Sequence, residues 1–448
     1  MWLLPCAARM NQQKTIGLLT LGCPKNRTDL ERMMYLLQSA GYKIQSLDAG
    51  DCDVAIINTC GFIGDAKRES IDAILEAADR QMAGEVGKII ATGCLAQRYQ
   101  QELLDSLPEV AAAVGVHSCE DILSAVAAVS NDVPYSSFRA YNACAPDGKR
   151  VLSTPPHMAY IKIAEGCNNR CTYCAIPAIR GPFVSRDEDA IINEAQHLAT
   201  LGVGELNLVA QDSTAYGSDC GSSLARLLRR LDGEVDIPWI RLLYCYPEKI
   251  TTDLIAAMAN CSRVVKYIDM PVQHIADSVL ARMNRRGSGA DIRRVIGELR
   301  AAVPSIAIRS TLIVGFPGET EEDFAQLHEF VAGGNFDRLG VFAYSAEEGT
   351  PAASFPDQIP TEVAQRRVEL LMEAQNHVSH VRNRALIGQR VQVLVEGDGV
   401  GRTEWDAPDI DGKVKFVSAD SPAPAAGDFV SVTVIEADDY DLVGRLKL

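Results

Sequence analysis

The first hundred residues alternate between short apolar segments and longer amphipathic ones. Continuous apolar segments predict three buried strands, at 16–21, 54–58 and 88–91. Amphipathic segments at about 30–38 and 65–83 predict helices, and a third helix is expected up to residue 103. Buried strands separated by helices indicate an α/β domain with a doubly wound parallel sheet.

The alternation stops and then resumes in the middle of the chain. Residues 130–156 are rich in Asn, Pro and Ser, lack a clear period and predict a linker. From 159 to about 340, apolar segments predict six strands, at 160–163, 205–209, 239–243, 267–270, 308–314 and 338–342. Six strand–helix units predict a full or partial (β/α)6 barrel, whose chemistry would lie at the carboxyl ends of the strands.

The pattern changes again toward the end of the chain. A polar helix is expected over 361–385, and segments at 391–395 and 428–434 then alternate with a period of two. Short strands separated by glycines and prolines predict a small β-barrel. The expected division is an α/β domain at 14–130, a linker at 131–152, a barrel at 153–385 and a small β-barrel at 386–448.

Composition and charge argue against some classes of function. The 448-residue chain has a formal net charge of −16, which argues against a large nucleic-acid surface because phosphate binding favours an excess of Lys and Arg. No apolar segment approaches the roughly 20 residues that a membrane helix needs, and residues 1–5 lack the basic start of a signal peptide. We therefore expect a cytoplasmic protein, in which thirteen cysteines indicate metal or redox chemistry.

Three closely spaced cysteines follow the first strand of the predicted barrel. Cys167, Cys171 and Cys174 form the pattern CxxxCxxC, and soft thiolates on one loop suit an iron–sulfur cluster. Three ligands leave one iron of a 4Fe-4S cluster open to a substrate or cofactor, much as catalytic zinc keeps an open position. Structural zinc is the alternative, but it usually takes four ligands, and His157 is a weak candidate for the fourth.

A second set of cysteines follows the three strands of the first domain. Cys23, Cys60 and Cys94 each lie beside a glycine just past a strand. The carboxyl ends of parallel strands share one edge of a sheet, where ligands bind, so these thiols are expected to converge on a metal site. The alternative is that they are small buried apolar residues.

These features resemble the radical S-adenosylmethionine (SAM) superfamily, in which CxxxCxxC carries an aromatic residue, here Tyr173, before the last cysteine. The three-cysteine first domain and a small barrel similar to a TRAM domain extend the resemblance to the methylthiotransferases, over nearly the whole chain. Matching phrases lie at 21–26, 58–62, 175–181, 315–320 and 348–352.

The resemblance implies two 4Fe-4S clusters and SAM as cofactors. The cluster on Cys167, Cys171 and Cys174 would bind SAM, and one electron would cleave SAM to a 5′-deoxyadenosyl radical that abstracts hydrogen from carbon. The cluster on the other three cysteines would supply or relay sulfur, and another SAM would give the methyl group. A flavodoxin or ferredoxin is the implied reductant.

Residues at the predicted strand ends are further candidates. The candidate SAM-binding residues are Tyr173, Gln211, Arg309, Thr311, Gly315 and Glu319. Gly315 and Glu319 fit equally well a turn before a helix that Thr320 and Asp323 would cap, and Thr311 also fits barrel packing. Gln273 and His274 are candidate catalytic residues, although a lone histidine is more often structural. The remaining cysteines lack cluster spacing: Cys6, Cys52, Cys119, Cys144, Cys220, Cys245 and Cys261.

The resemblance leaves two substrate classes, a modified adenosine of transfer RNA or an aspartate of a ribosomal protein. Residues 388–448 contain twelve acidic and six basic residues, and an acidic domain suits a basic protein better than phosphates. Segments 267–274 and 405–412 resemble the protein-modifying branch. We therefore expect the β-carbon of an aspartate in small-subunit ribosomal protein twelve as the target. The rivals are a transfer-RNA methylthiotransferase and a non-catalytic iron–sulfur protein.

Overall fold

A computed structural model describes residues 14–140, 149–417 and 423–446. The chain forms two compact units. The first unit contains the described residues up to Ser153 together with Ala178–Arg180, and the second contains Thr154–Pro177 and the chain from Gly181 onward. Cys6 and Cys144 lie outside the described residues.

The first unit is built on a six-stranded parallel sheet in the order β2-β1-β3-β4-β5-β6. Its strands are β1 (Thr15–Thr20), β2 (Lys43–Ser46), β3 (Cys52–Thr59), β4 (Val86–Gly93), β5 (Val110–Val114) and β6 (Tyr135–Ser137). Its helices are α1 (Pro24–Ser39), α2 (Gly64–Met82), α3 (Cys94–Tyr99), α4 (Gln101–Ser106) and α5 (Ile122–Val129). The doubly wound sheet predicted from the sequence is confirmed, although one helix expected up to residue 103 is two, separated at Gln100, whose φ is 49°.

Alternating residues of β3 explain why the sheet needs helices on both faces. Val54 and Ile56 belong to a core formed with α1 and α5, whereas Ala55 and Ile57 belong to a core formed with α2. Since both faces are apolar, the strand is buried along nearly its whole length.

The segment predicted as a linker contains ordered structure. Tyr135–Ser137 forms β6, which pairs with β5 at the edge of the sheet. Farther on, Arg150 forms a buried ion pair with Glu31 of α1, and the Ser153 backbone N–H donates to the Glu31 carboxylate at 2.8 Å. The sequence pattern missed these contacts because β6 has only three residues and Glu31 is more than a hundred positions away. Residues 141–148 of this segment lie outside the described chain.

The second unit begins with an open six-stranded parallel sheet, in the order β14-β13-β12-β11-β10-β7. Its strands are β7 (Met158–Lys162), β10 (Glu205–Val209), β11 (Trp239–Leu242), β12 (Val264–Asp269), β13 (Ala307–Val314) and β14 (Arg338–Ala343), and a short hairpin pairs β8 (Ala164–Glu165) with β9 (Val184–Ser185). The next helix along the chain, α6 (Ile176–Arg180), has its last three residues in the first unit. The remaining helices of the second unit are α7 (Glu188–Thr200), α8 (Leu224–Glu234), α9 (Thr252–Asn260), α10 (Asp277–Arg282), α11 (Gly289–Ala302), α12 (Glu321–Ala332) and α13 (Thr361–Arg384). All six predicted strands are present, and the open order makes this the partial form of the barrel.

The end of the chain is a closed five-stranded barrel, in the order β15-β16-β17-β19-β18. Its strands are β15 (Arg390–Gly397), β16 (Val400–Thr403), β17 (Val414–Val417), β18 (Phe429–Ala437) and β19 (Leu442–Leu446). The small β-barrel predicted from the period of two is therefore confirmed. Within the described residues, every helix is too short or too polar to cross a membrane.

Buried ion pairs join the small barrel to the parallel sheet of the same unit. The Glu205 carboxylate on β10 accepts from Arg241 at 2.7 Å and from Arg402 of β16 at 2.5 Å, and none of these three side chains is more than 1% exposed. Asp406 pairs with Arg338 at 2.8 Å, and Asp411 accepts a 2.8 Å hydrogen bond from the Tyr267 hydroxyl. Residues 405–412 therefore connect the small barrel to the parallel sheet of the same unit.

This burial lowers the number of acidic side chains that the small barrel exposes. Several acids of the small barrel are held inside the unit, because Glu396, Asp406 and Asp411 face Arg402, Arg338 and Arg309. Among the described residues from 388 onward, the exposed charged residues are five acids and four bases: Asp398, Asp409, Asp428, Glu436, Asp438, Arg390, Lys413, Lys415 and Arg445. Acids still outnumber bases on the described surface of this barrel, because Glu404, Asp439 and Asp441 are partly exposed.

Replacing Glu205 with glutamine is expected to lower the free energy of unfolding by about 3 kcal/mol, because Arg241 then stays buried without a counter-charge and Arg402 keeps only Glu396. Burial alone would raise the pKa of Glu205, but Arg402 and Arg241 outweigh it and lower the pKa to about 2. The stabilisation is thus present above the ordinary pKa of 4.5 and is lost as the pH falls toward 2.

Urea unfolding at a series of pH values measures this effect. The deficit of Glu205→Gln against the parent should be largest near neutral pH and should shrink below pH 4.5. Glu234→Gln is the matched control, since it removes a carboxylate from an exposed pair with Arg230 and should change stability little. Equal effects of the two substitutions would contradict the importance of the buried network.

Candidate functional site

The three cysteines of the first unit follow neighbouring strands. Register pairs Thr20 with Asn58 and Thr59 with Gly93, so β1, β3 and β4 end side by side. Cys23 is the N-cap of α1, Cys60 follows β3 directly, and Cys94 is the first residue of α3. The structure thus brings the three predicted thiols to one edge of the sheet.

The loops that carry these cysteines pack very closely. A Cβ added to Gly22, whose φ is +85°, would lie 3.0 Å from the Cys60 sulfur. The amide of Asn26 donates to the carbonyls of Leu21 at 2.9 Å and Thr59 at 3.1 Å, which ties the first loop to the second. Ser70 of α2 accepts from the Cys60 N–H and donates to the Cys60 carbonyl, both at 2.9 Å. Sequence reasoning missed Ser70, because its ten-residue separation from Cys60 carries no motif.

Opposing electrostatic effects act on these thiols. Burial raises the pKa of Cys60 and raises that of Cys94 to about 11. Burial would also raise the pKa of Cys23, but Lys25 and Arg180 outweigh it and leave the pKa below its ordinary value. The Arg180 Nη2 lies 3.3 Å from the Cys94 sulfur. A cationic group beside buried thiols suits thiolate ligands, so this donor set fits an iron–sulfur cluster.

The cysteines of the second unit lie on one loop after β8. Cys167 and Cys171 are buried, and Cys174 is partly buried. The Cys174 N–H donates to the Cys171 carbonyl at 3.1 Å, and the Thr172 N–H donates to the carbonyl of Met283 at 3.1 Å. Burial raises the pKa of both Cys167 and Cys174. These backbone contacts fix the conformation of the loop that carries the three thiols.

Neither cysteine set is arranged for one metal ion. In the part of the chain that the structure describes, no group of three or more Cys, His, Asp and Glu side chains could hold a single ion. A single ion needs every sulfur at about 2.3 Å from one centre, whereas each thiolate of a 4Fe-4S cluster binds a different iron.

Polar side chains near the end of β10 offer unused hydrogen-bonding atoms. Gln211 donates to Glu165 at 2.6 Å, and Glu165 also accepts from Lys162 at 2.7 Å. The Gln211 Oε1, both amide atoms of Asn207 and the Gln273 Oε1 are buried and have no hydrogen-bond partner among the described residues. Buried polar atoms normally have partners, so these atoms fit a polar cofactor such as SAM. Asn207 was not predicted, since it lies inside an apolar strand.

The predicted turn after β13 has a structural role. Gly315 has a φ of +71°, and a Cβ there would lie 2.4 Å from the Ala364 Cβ of α13. The buried Glu319 carboxylate accepts from the N–H groups of Gly315 and Phe316, the latter at 3.1 Å, and Thr320 and Asp323 form the expected capping box. The geometry of the turn therefore explains why glycine stands at position 315 and glutamate at position 319. The Tyr173 ring packs edge-on against Phe316, with centroids 6.4 Å apart.

The other candidates also have partners within the protein. His274 is completely buried, and its Nδ1 accepts from the Ala276 N–H at 3.0 Å, so it fixes local backbone. Arg309 pairs with Asp269 at 2.7 Å and lies 3.6 Å from Asp411. Thr311 is partly buried on β13, and its carbonyl accepts from the Gln273 N–H at 2.9 Å. The other ring nitrogen of His274, Nε2, is buried without a hydrogen-bond partner among the described residues and lies 3.7 Å from the Glu319 carboxylate.

A cavity of about 280 Å³ opens beside Cys171. Asn169 of the cysteine loop donates to Asp212 at 2.7 Å, and Lys249 lies 2.5 Å from the same carboxylate. The Tyr246 hydroxyl is 3.9 Å from the Cys171 sulfur. Sequence reasoning missed Asn169, Tyr246 and Lys249 as a group, because only folding brings them together.

Family models match three parts of the chain. The model described as the Radical SAM superfamily matches residues 161–331, the model described as Uncharacterized protein family UPF0004 matches 15–115, and the TRAM domain matches 387–446. Among solved structures, the radical SAM methyltransferase TsrM from Kitasatospora setae aligns with a TM-score of 0.54 and 13% identity, covering 76% of this chain and 74% of that one. At this identity the likeness concerns the fold alone.

Curated relatives are similar along their whole length. The ribosomal protein uS12 methylthiotransferase RimO of Pelotomaculum thermopropionicum is 47% identical over 446 residues, covering 97% of this chain and 99% of the relative. The RimO of Geobacter sulfurreducens is 45% identical over 447 residues, with the same coverage. On this similarity, together with the radical SAM and TRAM matches, the chain belongs to the RimO family of radical SAM methylthiotransferases.

Proposed function

We propose that this enzyme adds a methylthio group to the β-carbon of an aspartate in ribosomal protein uS12, using two 4Fe-4S clusters and two SAM molecules. The observation that carries the proposal is the presence of two separate sets of three cysteines, one in each compact unit. Relatives with 44–47% identity carry the name of the uS12 methylthiotransferase, which supports the choice of substrate.

Each cysteine set has a distinct role in this proposal. Cys167, Cys171 and Cys174 hold one cluster, and their count leaves one iron for SAM. The cluster and SAM supply the radical chemistry when bound. The unpartnered buried atoms of Asn207, Gln211 and Gln273 support a role in binding and orienting SAM, and Tyr173 contributes an aromatic ring from within the cysteine loop itself.

Cys23, Cys60 and Cys94 hold the second cluster, which supplies or relays sulfur. Their position after adjacent strands and the nearby Arg180 and Lys25 support thiolate ligands at this edge of the sheet. The proposed domain boundaries are those expected from the sequence, at 14–130, 153–385 and 386–448. We further propose that the enzyme works in the cytoplasm, where ribosomal subunits reside, with a flavodoxin or ferredoxin as reductant.

A paired substrate assay tests the proposed target. Anaerobically reconstituted enzyme with SAM, sulfide and reductant is given either purified uS12 or hypomodified transfer RNA, and both are analysed by mass spectrometry. The protein should gain one methylthio group in place of one hydrogen, and the RNA should be unchanged. A reaction without SAM is the control. Modification of the RNA alone would replace the proposal with the transfer-RNA activity.

A further inference from the structure

Arg180 is a buried cation among the ligands of the proposed second cluster. Its side chain is 1% exposed, and Ala178–Arg180 belong to the first compact unit. The guanidinium donates to Asp29 at 2.9 Å, to the Asn26 Oδ1 at 3.3 Å and to the Cys94 sulfur at 3.3 Å. Burial of an arginine is costly unless its donors are used, and these contacts use donors on both terminal nitrogens of Arg180.

The contacts of Arg180 fix its direction as well as its charge. Asp29 on α1 holds one guanidinium nitrogen, and the other nitrogen is shared between Asn26 and Cys94. Asn26 is the residue that ties the Cys23 loop to the Cys60 loop. Arg180 therefore contacts Cys94 directly. It also contacts Asn26, which holds the loops of Cys23 and Cys60 together.

A donor at a ligand sulfur acts on the metal. Hydrogen bonds to cluster sulfurs and nearby charge set the reduction potential of iron–sulfur clusters. Reduction adds a negative charge, so a buried cation at 3.3 Å from a ligand sulfur stabilises the reduced form more than the oxidised form. Asp29 offsets part of the charge but leaves the N–H···S contact in place.

We propose that Arg180 is a positioning residue of the second cluster, which holds the Cys94 thiolate and raises the reduction potential of that cluster. This inference rests on the proposed function, because it requires a cluster on Cys23, Cys60 and Cys94. The potential of this cluster would then be set by a residue that the cysteine spacing does not reveal.

The test measures the potential of the second cluster alone. In the full-length chain, Cys167, Cys171 and Cys174 are replaced with alanine, the protein is reconstituted anaerobically, and the remaining cluster is titrated by EPR spectroscopy. Arg180→Gln should lower the ratio of reduced to oxidised cluster about tenfold at a fixed potential, which is 59 mV for a one-electron couple. Arg180→Lys keeps the charge and should give a smaller shift.

Arg32→Gln is the matched control, since it also removes a cation from the first unit. The guanidinium of Arg32 pairs with Glu120 at 2.8 Å. Arg32→Gln should leave the potential unchanged. An intact cluster that titrates at the parental potential in Arg180→Gln overturns the inference alone. If Arg180→Gln retains no iron, the cluster of Arg180→Lys is titrated instead. A reduction potential equal to the parental value in that variant overturns the inference. A parent protein without any cluster overturns the proposed function as well.

Discussion

Replacing Cys167, Cys171 and Cys174 together with alanine is expected to abolish SAM cleavage and methylthio transfer. The three thiols lie on one short loop and fit the cluster that binds SAM, and a cluster that has lost its ligands cannot bind or reduce SAM. The measurement is 5′-deoxyadenosine formation by chromatography under reducing conditions. The fall should reach the level of a reaction without enzyme.

The same variant should keep iron on the first unit, because Cys23, Cys60 and Cys94 are unchanged. Iron and sulfide content should fall by about half, in line with one cluster of two. Cys220→Ala is the control, since this cysteine is exposed and should leave cleavage at the parental rate. The radical SAM assignment of this loop is wrong if the properly folded triple variant still cleaves SAM. It is also wrong if the unsubstituted enzyme does not cleave SAM.

Replacing Cys23, Cys60 and Cys94 with alanine is expected to separate the two halves of the reaction. The cysteine loop of the second unit is untouched, so SAM should still be cleaved to 5′-deoxyadenosine. Methylthio transfer to uS12 should be lost, because the proposed sulfur-handling cluster has no ligands. Mass spectrometry of uS12 and chromatography of the nucleoside, from the same reaction, measure both outcomes.

Folding has to be checked for this second variant, since Cys60 and Cys94 are buried and each substitution removes packing worth roughly 1 kcal/mol. Cys52→Ala is the matched control, because Cys52 is a buried cysteine of the same unit on β3. Cys52→Ala should keep both SAM cleavage and methylthio transfer, and its melting temperature should be close to that of the parent enzyme. Full methylthio transfer by the triple variant would show that sulfur reaches the substrate without these three thiols.

Much of the fold was predictable from local pattern. All six barrel strands and three strands of the first sheet were found from apolar segments, because a buried strand needs apolar residues in succession. Strands β2, β5 and β6 were missed, since they have only four, five and three residues, and β2 and β6 also lie at the edges of the sheet. The six cysteines were identifiable because spacing and strand ends are properties of the sequence itself.

The sequence by itself therefore determined the order of elements, the two cysteine sets and the resemblance to the methylthiotransferases. Only the tertiary structure decided that Glu319 and His274 are used by local backbone, that Asp406 and Asp411 are buried in ion pairs, and that Arg180 reaches the Cys94 sulfur. The physical reason is the same in each case. Burial and pairing depend on which distant residues fold against a side chain, and neither composition nor spacing records those neighbours.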